Sequence, residues 1–365
     1  MSARVVIAGG GVAALEGALA LRALAEDRLS IEVIASADEF VYRPLAVADP
    51  FRVGETRRFP LEPLVEWAGA ELVKGDVSSV DPDRRVVTTA AGAELTYEAL
   101  LVAVGARPHE AVGGALTFAG PESGPALEQL LEHALHGKVR RIAFAVPGGV
   151  TWPLPLYELA LLTNSFLVDR YVTGVELVLV TPEERPLGLF GTRASEAVAE
   201  LLALRGIEFR GGTTPLRFAD GVLDVAPGES IEADRAVALA RLAGPRLAGL
   251  PFDRDGFIPV DGYCRVGSEV DVYAAGDATT FPLKQGGIAA QQADVAAAQI
   301  AGVKCAPFRP VLRGLLLTGM TPRFLRAEPG TPESDVDTQA LWAPPAKIVG
   351  RYLAPFLAEK VGAGV

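Results

Sequence analysis

The chain has 365 residues, of which 50% are hydrophobic and 22% charged, and it carries a formal net charge of −11 at pH 7. This length predicts two or three domains. The acidic balance excludes nucleic acid as a favoured partner, because phosphates would be repelled.

Cysteine and histidine are too sparse for several kinds of site. The two cysteines, Cys264 and Cys305, are too far apart for a CxxC redox pair, and with only three histidines and no clustered acids we expect no metal site. So few cysteines favour a reducing, cytoplasmic location. We expect no signal peptide at the amino terminus and no apolar run of the roughly 20 residues that span a bilayer.

A glycine-rich turn joins the first predicted strand to the first predicted helix. Residues 5–8 form an apolar strand, an Ala/Leu-rich helix follows, and residues 9–14 between them read GGGVAA. This fits G-x-G-x-x-G/A, with Ala14 at the close-packing position. Gly9 would allow the tight turn, and Gly11 would let the backbone approach a pyrophosphate at the helix N-terminus. The flanking strand and helix favour a dinucleotide site over a structural turn.

The second predicted strand lacks the acid that normally binds a ribose hydroxyl about 20 residues after the glycines. It ends in Ala35 and Ser36, and Ser36 could supply a weaker hydrogen bond. Asp38 and Glu39 are interpreted as solvated loop charges. Residues 40–44 then form either a packed surface loop or a loop over a cofactor ring.

A second apolar strand end lies near residue 105. Residues 85–97 alternate as a β-meander around Gly92, in place of a helical crossover. The following strand leaves through residues 103–108, AVGARP, where Gly105 permits a close approach and Pro108 ends the regular structure.

With residues 272–278, VYAAGDA, these motifs resemble the two-dinucleotide-binding-domain flavoproteins, nearest the branch of type II NADH dehydrogenases and sulfide:quinone oxidoreductases. The first and third motifs lie about 260 residues apart, as in that family, where a second domain is inserted. The resemblance implies an α/β fold of two Rossmann-like domains with a short carboxy-terminal segment. The predicted divisions are residues 1–110 and 255–303 for a discontinuous FAD domain, 111–254 for an inserted NAD(P)-binding-like domain, and 304–365 for a cap or interface segment.

The resemblance also implies FAD as the cofactor. Asp277 would accept hydrogen bonds from the ribityl chain, and Gly286 and Gly287 would begin a helix aimed at the pyrimidine edge of the flavin, where negative charge develops on reduction. Lys284 either adds positive charge there or is a solvated surface residue. No catalytic side chain is assigned, because the chemistry takes place on the flavin. The candidate cofactor-binding residues are Gly9, Gly11, Val12, Ala13, Ala14, Ser36, Tyr42, Arg43, Pro44, Val77, Ala103, Gly105, Arg107, Gly276, Asp277, Lys284, Gly286, Gly287 and Ile288.

The inserted domain departs from the family pattern at its glycine loop. Residues 147–158 read PGGVTWPLPLYE, in which Pro153 and Pro155 lack N–H donors and Trp152 adds bulk. NAD(P)H is therefore not expected to bind tightly in the usual pose. The domain is either a scaffold, with Thr151 as helix N-cap and Pro153 in the first turn, or its loop lines a substrate tunnel.

The same loop bears on sulfide chemistry. In sulfide:quinone oxidoreductases a similar proline-rich segment carries a redox cysteine, whereas Trp152 stands at that place here, so this route is disfavoured. Cys264 is interpreted as a small buried hydrophobic residue. Glu183 and Glu184, after the next strand, would repel a 2′-phosphate and so favour NADH over NADPH if either nucleotide binds.

The carboxy-terminal segment has two interpretations. It could form a flavin lid through Trp342, Pro344, Pro345 and Lys347. Alternatively it packs in the core, because Ile348, Tyr352 and Phe356 recur every four positions as on one buried helix face.

The first functional hypothesis is an FAD-dependent oxidoreductase that passes two electrons from a small donor through the flavin to a quinone-like or other small acceptor. One alternative is a flavin-binding protein with little turnover, in a structural or sensing role. Another is a sulfide or persulfide:quinone oxidoreductase that uses a different route. A homodimer, a peripheral membrane contact and a covalent flavin link are left open by the sequence.

Overall fold

The computed structural model describes residues 2–269, 271–329 and 334–361. Seven α-helices occur in these ranges, and none of them is long and apolar enough to cross a membrane. They are α1 (Val12–Ala25), α2 (Leu61–Trp67), α3 (Gly124–Leu135), α4 (Leu154–Val168), α5 (Thr192–Leu204), α6 (Gly286–Ile300) and α7 (Leu353–Val361).

The first parallel sheet combines two distant parts of the chain. Its strands, in spatial order, are Val272–Ala274, Ala99–Val102, Ala3–Ala8, Leu29–Ala35 and Glu71–Lys74. Ala8 lies opposite both Val102 and Ile34, so the carboxyl ends of the three central strands meet at one edge. The inner strands are buried on both faces, which explains their continuous apolar sequences.

The second parallel sheet is built from the middle of the chain. Its strands, in spatial order, are Leu116–Phe118, Arg235–Leu239, Arg141–Ala145, Glu176–Val180 and Ile207–Arg210. Helix α4 connects the third of these strands to the fourth, as in a βαβ unit. The predicted α/β class with two Rossmann-like sheets is confirmed.

Smaller antiparallel sheets surround the two parallel ones. The predicted meander is present as Val77–Asp81, Val86–Thr89 and Glu94–Thr96. The others comprise Thr214–Ala219, Val222–Ala226 and Ile231–Glu232; Leu312–Leu316, Arg323–Ala327 and Ser334–Asp337; Glu39–Tyr42 with Arg57–Pro60; and Arg107–His109 with Arg241–Ala243. The sheet after residue 311 was not predicted.

The carboxy-terminal helix α7 docks on α1 through a buried carboxylate. Glu16 of α1 accepts hydrogen bonds from the backbone N–H groups of Tyr352 at 2.8 Å and Leu353 at 2.7 Å, so it caps the start of α7. The predicted helix was wrong for Ile348 and Tyr352, which precede α7, whereas the predicted core packing of Ile348 is confirmed. The helix instead buries Leu353 and Leu357.

A second carboxylate beside Glu16 makes this docking sensitive to pH. Burial raises the pKa of Asp294 on α6 to about 8, with repulsion from Glu16 as a further cause and Arg351 opposing it. Burial also raises the pKa of Glu16. Both carboxyl groups therefore bind protons more tightly in the folded state, so their stabilising effect is present at low pH and is lost as pH rises toward 8.

We expect Asp294→Asn to flatten the pH dependence of stability. In the wild type the free energy of unfolding should fall between about pH 4 and 8, by at most about 1.4 kcal/mol per pH unit for this group. Urea unfolding at several pH values measures the slope. Asp83→Asn, at an exposed position, is the matched control, and equal slopes in all three proteins would contradict the prediction.

Candidate functional site

The glycine loop forms a close contact at the carboxyl edge of the first sheet. Gly9 has φ +125°, and a Cβ atom there would lie 2.2 Å from the carbonyl oxygen of Ala103, so only glycine fits. Gly11 is the N-cap of α1 without a side-chain cap, and nothing lies within 4 Å of the place where its Cβ would be. The free N–H groups at the start of α1 therefore face open space.

A cavity of about 530 Å³ runs from this loop to the start of α6. Most of the predicted cofactor residues line it. They are Gly9, Gly11, Val12, Ala13, Ser36, Arg43, Pro44, Val77, Ala103, Gly105, Gly276, Asp277 and Gly286. Of the two nearby acids, Glu39 also lines the cavity, whereas Asp38 forms an exposed ion pair with Lys74 at 2.6 Å.

Six further predicted residues do not line this cavity, namely Lys284, described below, and five others. Ala14 and Ile288 lie in the hydrophobic core, and the Tyr42 hydroxyl is buried, where it accepts a hydrogen bond from the Ile348 N–H at 2.9 Å. Gly287 faces the Gln285 side chain, and Arg107 is exposed on an outer strand. The motif positions alone could not separate these packing residues from residues that face the cavity.

Asp277 presents a carboxylate that the described residues leave without a hydrogen-bond donor. Burial raises its pKa, while the positive charges of Lys284 and Arg43 oppose that shift. Such a group has strong acceptor capacity that hydroxyl donors of a ligand could satisfy.

Lys284 is not a solvated surface charge, so that interpretation was wrong. Its ammonium group donates to the carbonyl oxygens of Asp277, at 3.2 Å, and Thr279, and lies 3.9 Å from the ring centroid of Phe257. Burial lowers its pKa to about 8. Lys284 lines a second cavity rather than the first.

This second cavity, of about 480 Å³, adjoins the first. Both are lined by Arg43, Pro44, Pro108, Asp277, Gly286 and Ile348. The other walls of the second cavity combine charged residues with an apolar group that comprises Phe118, Trp152, Leu154, Leu239 and Leu315. A ligand extended along the first cavity would therefore reach the second at the start of α6.

The proline-rich loop of the inserted unit borders the second cavity. The predicted N-cap was wrong: α4 begins at Leu154 after Pro153, and the Thr151 hydroxyl instead donates to the carbonyl oxygen of Pro282. Trp152 lines the cavity and packs edge-to-face on Phe190, with 5.6 Å between ring centroids. This placement favours the tunnel interpretation of the loop.

The two acids after the fourth strand of the second sheet differ in surroundings. Tyr157 donates a hydrogen bond of 2.8 Å to Glu183, and burial raises the pKa of Glu183 to about 7. Glu184 lies beside Gly212.

Cys264 is buried as predicted, and burial raises the pKa of its thiol to about 12, which disfavours a thiolate.

A buried ion pair that the sequence did not predict closes one wall of the second cavity. Lys347 lies 2.7 and 2.8 Å from the two carboxylate oxygens of Glu158, and their side chains are 5% and 1% exposed. The Leu317 N–H also donates to Glu158 at 2.8 Å. Lys347 was predicted as part of a lid, whereas Glu158 was missed. The signal that could have identified Glu158 is that it is the only charged residue of α4.

We expect Glu158→Ala to destabilise the protein by about 3–5 kcal/mol, because it leaves the Lys347 ammonium group buried without its partner. Thermal or urea unfolding measures the loss. The double variant Glu158→Ala/Lys347→Met removes both charges and should recover much of the stability. A double variant no more stable than Glu158→Ala would contradict this explanation.

The residues present fit FAD. The glycine cradle suits a pyrophosphate, the long cavity suits an extended dinucleotide, and the unpartnered Asp277 carboxylate can accept hydrogen bonds from ribityl hydroxyls. When bound, FAD would supply two-electron chemistry at its ring. The chain would bind and orient it through the loop at Gly11, Asp277 and the amino-terminal end of α6.

Solved structures resemble this fold. The sulfide:quinone oxidoreductase from the hyperthermophilic bacterium Aquifex aeolicus superposes with a TM-score of 0.82 over 92% of this chain and 87% of that one, at 20% identity. An NAD-dependent persulfide reductase from A. fulgidus gives a TM-score of 0.65 over 90% of this chain and 64% of that one, at 19% identity.

Two curated proteins are also similar to this chain in sequence. A sulfide-quinone reductase of Aquifex aeolicus (strain VF5) is 31% identical over 226 residues, which are 57% of this chain and 50% of that protein. The matched region thus spans only half the length of that relative. An NADH dehydrogenase-like protein of Mycobacterium tuberculosis is 27% identical over 289 residues, covering 75% of this chain and 72% of that protein.

The family model for pyridine nucleotide-disulphide oxidoreductases matches residues 3–299, from the first strand to the end of α6. This range includes the three motifs, both parallel sheets and the residues that line the first cavity between Gly9 and Gly286. The chain therefore belongs to the pyridine nucleotide-disulphide oxidoreductase family, which confirms the predicted recognition and the FAD cofactor.

Proposed function

We propose that the protein passes two electrons from a small donor through FAD to a quinone-like or other small acceptor. The observation that carries this proposal is the junction of the two cavities at Arg43, Asp277 and Gly286. FAD in the first cavity would present its ring to the second, whose apolar walls suit a flat organic molecule.

The proposed site consists of the loop at Gly9 and Gly11, the strand end at Gly105, and the carboxylate of Asp277. In our proposal residues 1–110 and 255–303 form the FAD domain around this site, residues 111–254 form the inserted domain, and residues 304–365 form a cap. The ion pair between Glu158 and Lys347 supports the role of the last segment, because it fastens residue 347 to α4 beside the second cavity.

The relatives guide the choice of substrates. A sulfide-quinone reductase among them supports a quinone as the acceptor, and an NADH dehydrogenase-like protein supports NADH as a donor worth testing. Pro153 and Trp152 in the second loop argue against a tightly held nicotinamide dinucleotide. A sulfide reaction would need a route without a cysteine at residue 152.

The experiment is anaerobic mixing of the purified holoprotein with NADH, NADPH or sulfide, followed by flavin absorbance. Rapid bleaching by one donor, and return of the absorbance when a water-soluble quinone is added, would support the proposal. A control protein with Asp277→Ala, which should hold much less flavin, reports any direct reaction between donor and quinone. If none of the three donors bleaches the flavin, the proposal with these donors fails and a flavin-binding protein with little turnover is favoured.

A further inference from the structure

Arg313 is a cation that forms no ion pair with any residue that the structure describes. It lies half-buried on the strand Leu312–Leu316 and lines the second cavity. Directly opposite it, on the neighbouring antiparallel strand, is Arg326. Arg326 has two acidic partners, Glu328 at 2.9 Å and Asp335 at 3.3 Å. Across the three described ranges, no carboxylate lies within 4 Å of the Arg313 guanidinium.

The position of Arg313 opposite Arg326 destabilises the folded protein when no ligand is bound. Like charges directly opposite one another on antiparallel strands are destabilising, and burial of an unpaired charge adds a desolvation cost. Burial and the neighbouring Arg326 both lower the pKa of Arg313, in that order of size, and the negative charge of Glu328 opposes them. An anion in the cavity would relieve both effects.

Three of the four acids of the second cavity have partners elsewhere, and the fourth, Asp277, lies near two other cations. Glu158 is bound to Lys347, and Asp253 accepts hydrogen bonds from two backbone N–H groups of its own turn, at 3.0 and 2.9 Å. Asp255 pairs with Arg254 at 3.4 Å, and Asp277 faces Lys284 and Arg43. None of these carboxylates therefore serves Arg313.

Arg241 is a second cation on this cavity. Its guanidinium group lies against Gly149 of the proline-rich loop, 3.3–3.4 Å from the place where a Cβ atom of that glycine would be. Within the described chain it too has no ion pair or hydrogen bond from its side chain. Two arginine residues thus line the same cavity. The planar guanidinium group of arginine can donate two parallel hydrogen bonds to the oxygens of a carboxylate or phosphate.

The backbone of Arg313 is also tied to the helix that begins at the cavity junction. Gln285 Nε2 donates to the carbonyl oxygen of Arg313 at 2.9 Å, while Gln285 Oε1 accepts from the Ile288 N–H at 3.0 Å and caps α6. The strand that carries Arg313 is thereby held against the helix end where the FAD ring is proposed to lie. A group bound at Arg313 would be next to that ring.

We propose that the second cavity binds a small organic oxyanion, with its carboxylate or phosphate on Arg313 and its apolar body against Trp152, Leu154 and Leu315. This inference rests on the proposed function, which supplies the flavin beside the cavity, and it identifies amphipathic anions as the class of small donor or acceptor that the second cavity binds. Arg241 provides the second positive charge that attracts the anion into the cavity.

The test is a titration of the holoprotein with benzoate, phenyl phosphate and the neutral analogue benzamide, followed by flavin difference spectra. We expect one of the two anions to bind at least about tenfold more tightly than benzamide, and the tighter of them identifies the oxyanion. Arg313→Gln should weaken binding of that anion at least about tenfold and leave benzamide unchanged. Arg323→Gln, in the same hairpin but outside the cavity lining, is the matched control and should bind like the wild type.

The outcomes separate this proposal from the proposed function. Equal anion binding in the wild type and Arg313→Gln, or benzamide binding as tight as that of the anions, would overturn the oxyanion site even if donors bleach the flavin. If the protein does not hold FAD, the proposed function fails, and calorimetric titration with the same three probes and variants still tests the anion site directly.

Discussion

Replacing Gly11 by valine is expected to remove FAD binding while the fold is retained. The glycine has φ −92°, which any residue can adopt, and its Cβ would meet nothing within 4 Å. The added side chain would therefore occupy the space proposed for the pyrophosphate. We expect FAD affinity to fall at least about 10- to 100-fold, the equivalent of the roughly 1–3 kcal/mol that overpacking costs.

The measurement is flavin content after purification, together with the dissociation constant for added FAD. The free energy of unfolding of the FAD-free protein should drop by no more than about 1 kcal/mol, because valine caps a helix less well than glycine. Gly188→Val is the control, since a Cβ at that exposed glycine also meets nothing within 4 Å and the position lies outside both cavities. Wild-type flavin content in Gly11→Val would mean that the pyrophosphate is bound elsewhere.

Asp277→Ala should affect ligand binding and folding in opposite directions. Hydrogen bonds to a charged acceptor are worth about 1.5–3 kcal/mol, so FAD affinity should fall about 10- to 100-fold. The FAD-free protein should be at least as stable as the wild type, because the variant removes a carboxylate whose raised pKa shows that burial is unfavourable for its charged form. Asp277→Asn keeps an acceptor oxygen, so its FAD affinity should lie between those of the wild type and Asp277→Ala.

Flavin absorbance of the purified variants and urea unfolding of the FAD-free proteins check both parts. Asp253→Asn serves as the control, because Asp253 lines the second cavity only and accepts hydrogen bonds within its own turn. An undiminished flavin content in Asp277→Ala would refute the role assigned to this residue. A large loss of stability in the FAD-free variant would instead assign Asp277 to the fold.

Some contacts in the second cavity join residues that are far apart in the chain. Lys347 was predicted as part of a flavin lid, and it lines the second cavity, but its buried partner Glu158 lies 189 positions earlier in the chain, on the inserted unit. No local pattern connects such residues. Likewise, Arg313 and Arg326 are ordinary strand residues until their antiparallel register places them opposite one another.

The sequence by itself determined the family, the α/β class, the glycine loop at Gly9 and Gly11 and the carboxylate at Asp277. It also determined that Trp152 stands where sulfide:quinone oxidoreductases carry a redox cysteine. These features are local, because a strand end, a tight turn and a helix start are set by glycine and by the pattern of apolar residues over a few positions. Only the tertiary structure decided that two cavities meet at Asp277, that Lys284 is partly buried, that Glu158 pairs with Lys347 and that Arg313 forms no ion pair within the described part of the chain. Burial and charge pairing depend on residues far apart in the chain, so their energetic consequences exist only after the sheets and the carboxy-terminal segment have packed together.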